Sequence, residues 1–187
     1  MQTATLFVIL LGIAVPACAQ TSAPEPKEFH PNTSIREYFF GAWKLISAEY
    51  EFPDGHKTPY PDLGPKGVGF LLYTPSGHMC AQLMDPARPR WADDDAPTAA
   101  EAGSALAGFT SYCGAYEVHE HNQTVVHRPQ TAWSPNWIGT EQLRPYHLVS
   151  QDRFFFRGSE MQKQKDGTNV KVTWTITWER LKESPRI

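Results

Sequence analysis

A period of two in the apolar positions runs through this chain from Trp43 onward and is cleanest near its end. Along Val170–Trp178, residues Val172, Trp174, Ile176 and Trp178 fall on one face, while lysine and threonine fall on the other. That alternation predicts a strand with one buried side. Comparable runs cover Trp43–Glu51, Gly67–Thr74, His78–Met84, Ser111–Val118, Gln123–Arg128, Thr140–Val149 and Arg153–Arg157. Turn chemistry separates them, as in Pro53-Asp54-Gly55, Pro75-Ser76-Gly77, His119–Asn122 and Gln151-Asp152. About eight strands in hairpin order predict an all-β fold, an antiparallel up-and-down barrel rather than a sandwich. Gly41-Ala42-Trp43 at the start of the first strand and Trp178-Glu179-Arg180 at the end of the last suggest that the two lie side by side.

Two segments break the pattern. Ser34 caps a short helical stretch through Phe40, expected to plug one end of the barrel. The long excursion Asp85–Thr110 contains Thr98–Ala107, with a threonine cap, an acid in the first turn and an alanine-rich body. A connection of that length with its own helix is expected to lie across a barrel mouth as a lid.

Upstream, Leu6–Val15 is continuously apolar and leads to Pro16 and the small residues Ala17-Cys18-Ala19. This reads as an export signal over residues 1–19, followed by a flexible leader at 20–33 and a single barrel domain at 34–183. The expected location is periplasmic or secreted. Val15–Cys18 also admits a lipobox, which would anchor the chain through Cys18. The apolar run is too short for an integral membrane span. Removal of Cys18 leaves Cys80 and Cys113, which permit one disulfide or two buried thiols. The net charge of −3 and the lack of any basic stripe argue against a nucleic-acid partner. The sequence leaves the oligomeric state open.

Gly41–Ser47, Leu71–Leu83, Pro135–Arg144 and Trp178–Arg180, in that order, resemble the lipocalin-like domain found in many bacterial and fungal proteins. The resemblance spans roughly Phe39–Leu181. It implies a barrel with a ligand-sized interior and a closing arginine, Arg180, packed on Trp43. It implies no particular reaction. A guanidinium over an indole contributes about 0.5–2 kcal/mol, which assigns this pair to structure.

Candidate chemistry concentrates between Asn136 and Tyr146. On the strand after Thr140, Gln142, Arg144 and Tyr146 share one face, and if that face points inward they join His127, Asn136 and Trp137 around a polar pocket. Arg144 would anchor a carboxylate or enolate, because its fork matches two oxygens. Tyr73, Tyr116 and Gln82 are further wall candidates. His119 and His121 lack a third ligand at metal-site spacing, so no metal is expected, nor any cofactor. No nucleophile motif stands out. Three readings remain open. One is a barrel binding a small hydrophobic or amphipathic ligand. Another is an isomerase or cyclase for a polyketide-like or other carbonyl compound, with Arg144 stabilising negative charge and His127 or Tyr146 moving the proton. The last is an envelope or stress protein whose barrel is filled by its own aromatics.

Overall fold

The structure, a computed structural model, describes residues 29–164 and 166–182. The export segment 1–19 and the leader as far as residue 28 lie outside the described residues. The alternating runs form β1 (Gly41–Glu51), β2 (Lys57–Pro59), β3 (Val68–Tyr73), β4 (His78–Met84), β5 (Phe109–His119), β6 (Thr124–Ala132), β7 (Gln142–Ser150), β8 (Arg153–Lys163) and β9 (Asn169–Arg180). Among the described residues two α-helices accompany them, α1 (Ile35–Phe39) and α2 (Ala99–Ala107). All pairings are antiparallel. From β3 to β9 neighbours follow chain order, β1 pairs with β3, and β9 pairs back onto β1 with Trp43 opposite Arg180. Eight strands therefore close a barrel, and β2 is an extra strand on β1. Closure leaves those eight strands without a free edge.

Several elements differ from the sequence reading. β2 has only three residues, too few to show a period. β1 carries a bulge at Ile46, so Trp43 and Leu45 face inward before it and Ala48 and Tyr50 after it. β6 continues past Pro129 to Ala132, because a register shift at Cys113/Gly114 accommodates the proline. Glycine is required there, since a Cβ on Gly114 would run into the Arg128 carbonyl oxygen. β8 extends to Lys163 rather than ending at Arg157, and a Cβ on Gly158 would meet the indole of Trp174 across from it.

α1 closes one end of the barrel. Ser34 and Glu37 form a reciprocal capping box, which lets so short a helix hold its first turn. Its Tyr38 and Phe39 are fully buried, and the Tyr38 hydroxyl donates to the carbonyls of Ser150 and Arg153 at 2.8 and 2.9 Å. Phe39 packs edge-on against Tyr146 and Phe154, and Trp43 packs edge-on against Phe154. The Arg180 guanidinium carbon sits 4.1 Å from the centre of the Trp43 ring. Its nitrogens donate to the carbonyls of Phe40 and Tyr38 and pair with Asp152.

α2 has the expected Thr98 cap and is tethered by Arg88, which donates to the Ala105 carbonyl at 2.8 Å. No α2 side chain is buried. Cys80 and Cys113 lie directly opposite each other on β4 and β5 and form a disulfide. It closes a loop containing the whole α2 excursion. Among the described residues no helix is long and apolar enough to cross a membrane.

Candidate functional site

Toward the end of the barrel away from α1 the interior is not filled. A cavity of about 130 Å³ is lined by the apolar side chains of Leu71, Ala81, Leu83, Phe156 and Ile176. Tyr112, His127, Trp133, Trp137, Arg144 and Trp178 also line it, with Tyr60 and Asp62 from the loop between β2 and β3. α2 contributes no residue to this wall. An apolar cavity of about 150 Å³ accommodates benzene, so this space suits a group the size of one ring.

The alternation on β7 turns Gln142, Arg144, Tyr146 and Leu148 inward and leaves Leu143 and His147 exposed. β6 delivers His127, which is entirely inaccessible to solvent. Both its ring nitrogens are engaged: the Tyr73 hydroxyl lies 2.6 Å from Nε2 and the Tyr112 hydroxyl 2.9 Å from Nδ1. Burial, and then the nearby Arg144 charge, hold His127 well below its ordinary pKa, so the ring is neutral. Burial pushes the Tyr73 phenol well above its usual value and keeps its proton in place.

A neutral imidazole has one donor and one acceptor. Tyr73 is fully buried, and a hydroxyl proton left without an acceptor there would cost more than an unused lone pair. Tyr73 therefore donates to Nε2, and Nδ1–H donates to the Tyr112 oxygen. The Tyr112 proton is thereby left available to the cavity that Tyr112 lines.

The remaining polar groups of the wall are also mainly donors. The indole N–H groups of Trp133 and Trp178 are buried without an acceptor among the described residues. Each such group ordinarily costs about 1–3 kcal/mol. Among the described residues, Arg144 donates to the Leu143 carbonyl at 3.2 Å and the Gln142 side-chain oxygen at 3.5 Å and to no other acceptor. Its guanidinium carbon is about 6 Å from the Trp137 and Trp174 ring centres. Among the described residues no carboxylate is within ion-pairing distance of it, whereas Arg153, Arg157 and Arg180 each have one and Arg128 has two.

The rim carries a second polar group of residues. Tyr50 donates to Glu160 and accepts from Gln162 at 2.9 Å, and its ring contacts Tyr60. Burial raises the Tyr50 phenol, and so does the bond to Glu160. Partial burial of its carboxyl raises the Asp62 acid, and so does the charge on Glu160.

The structure thus places Arg144, His127 and Trp137 on the cavity wall, with Gln142 beside Arg144 and Tyr73 behind His127. Tyr146 packs on Phe39 toward the closed end. Tyr116 also turns away, its hydroxyl donating to the Thr74 carbonyl at 3.0 Å. Asn136 is exposed on a 3₁₀ turn (Pro135–Trp137). Gln82 is on the outer face of β4, because Met79, Ala81 and Leu83 take the inward phase. Sequence reasoning missed Tyr112, Trp133 and Trp178 as cavity-lining residues and the Tyr50–Glu160–Gln162 rim. For Trp178 the only sequence signal was its place on the inward face of β9.

Fold and site together define a closed antiparallel barrel with an interior cavity reached from one end. The model of the lipocalin-like domain matches residues 40–181, most of the chain, and the protein belongs to that family. A comparison with curated proteins finds no match.

Proposed function

We propose that this protein is an exported lipocalin-like barrel that binds a small, mostly apolar ligand in its interior. The observation that carries the reading is the ring-sized cavity, walled by Leu71, Ala81, Leu83, Phe156 and Ile176 and ending in polar groups around Arg144. Burial of apolar ligand surface at about 25 cal/mol per Å² supplies the driving force, and the polar groups set orientation. Export is supported by the Cys80–Cys113 disulfide, a bond that persists in oxidising compartments. The mass of the mature N-terminus distinguishes cleavage after Ala19 from a lipid on Cys18.

The test is calorimetric titration with toluene of the wild type and of Ala81→Phe, which fills the cavity from β4. Saturable binding by the wild type, lost in the filled variant, is expected. No binding by the wild type, or equal binding by both, overturns the reading.

A second reading is favoured by the Tyr73–His127–Tyr112 chain beside Arg144. In an isomerase of a carbonyl compound, Tyr112 would move the proton, because both His127 nitrogens are occupied and Tyr146 is not on the cavity wall. Arg144 would stabilise the enolate. Enolisation of cyclic ketones followed by deuterium incorporation tests it, with loss expected in Tyr112→Phe. No incorporation above the rate in buffer sinks it.

A further inference from the structure

Resting on the reading of the cavity as a ligand site, we propose that the ligand is a single-ring organic acid, bound as its carboxylate with the acid group at Arg144 and the ring against Leu71, Leu83 and Phe156. The polar wall offers donors and asks for acceptors. Among the described residues, the cavity-lining Trp133 and Trp178 each hold a buried N–H with no acceptor, and Arg144 has no carboxylate partner. Proton accounting through Tyr73 and His127 directs the Tyr112 hydroxyl outward as a further donor. A neutral apolar ring would leave Arg144 without an acceptor in the cavity, while a carboxylate has about four acceptor positions and the planar geometry that a guanidinium fork matches.

Charge points the same way. His127 is neutral, so Arg144 is the one cation among the cavity-wall residues, and Asp62 is the one carboxylate. Asp62 is exposed and, among the described residues, forms no ion pair with Arg144. A ligand anion bound next to Arg144 gains more from the charge there than it would in water, because the surrounding wall is aromatic and aliphatic. Cavity size limits the rest of the molecule. About 130 Å³ suits one ring and excludes a long acyl chain lying wholly inside.

Calorimetry with benzoate, nitrobenzene and toluene tests the proposal. Nitrobenzene has the shape of benzoate and two oxygens but no charge, and toluene has only the ring. Benzoate is expected to bind about tenfold or more tightly than either, consistent with charge-assisted hydrogen bonding. Arg144→Gln should remove that advantage and leave toluene binding within about threefold of wild type, and Tyr112→Phe should weaken benzoate by a smaller factor. Should Arg144→Gln not fold, the wild-type preference for benzoate over nitrobenzene and the Tyr112→Phe result still decide. Toluene or nitrobenzene binding as tightly as benzoate overturns the acid and leaves the apolar-ligand reading standing. Absence of binding by all three overturns both.

Discussion

Each end of this barrel sets an arginine beside tryptophan, and the two arrangements are opposites in their polar accounting. At the α1 end, Arg180 stacks closely on Trp43, every part of its guanidinium has an oxygen partner, and the Trp43 indole N–H donates to the Phe39 carbonyl at 2.8 Å. At the other end Arg144 stands farther from Trp137 and Trp174, has no carboxylate among the described residues, and shares a wall with two indole N–H groups that lack acceptors. A satisfied buried network stabilises one native arrangement. An unsatisfied one costs stability unless a ligand completes it. The contrast assigns the α1 end to structure and supports the proposal that the open end binds.

The sharpest way to break this division is to exchange stability effects between the ends. Trp43→Ala removes a wholly buried indole and the surface under Arg180, and is expected to lose about 4 kcal/mol in urea unfolding. Arg144→Gln should change stability by less than about 1 kcal/mol, because it has no ion pair to lose. Comparable losses from the two would put Arg144 in the structural class.

The Cys80–Cys113 disulfide comes next in size. It joins the strands that carry Ala81 and Leu83 on one side and Tyr112 on the other, and its loop spans 33 positions. Replacing both cysteines by serine should lower stability by about 3–4 kcal/mol through the larger entropy of the unfolded chain. Denaturation midpoints with and without reductant should differ for the wild type and coincide for the double variant.

Acid should weaken the fold through His127. Its folded pKa lies below the value of about 6.5 in an unfolded chain, so below that pH the unfolded state binds the extra proton. Stability is therefore fully present above about pH 6.5 and falls as the pH drops, by at most about 1.4 kcal/mol per unit from this one group. His127→Gln should be less stable at neutral pH and show a shallower acid limb. A limb unchanged in that variant would show that His127 is not the group responsible.

Much of the framework could be read in the sequence because period two and turn chemistry act locally. Val172, Trp174, Ile176 and Trp178 marked one face of β9, and Pro75-Ser76-Gly77 marked the β3–β4 turn. The inward set on β7 followed from alternation once one member was placed. What escaped depends on contacts between distant strands. Glu160 and Gln162 face inward on a strand whose second half looks polar enough for a loop, since the mouth tolerates wet side chains. Ala48 and Tyr50 share the inward side with Trp43 and Leu45 because a bulge at Ile46 moves the phase of β1. Tyr112 acts as a donor only through a histidine on β6 and a tyrosine on β3, a relation that neither composition nor spacing encodes.

The most direct test of the division between the two ends is to follow the indole N–H resonances of the six tryptophans by nitrogen–proton correlation NMR while benzoate is added. The Trp133 and Trp178 signals are expected to shift downfield and saturate as their hydrogens gain an acceptor, with Trp43 unmoved. Saturating shifts at Trp43, or an unchanged spectrum at Trp133 and Trp178, would contradict the account.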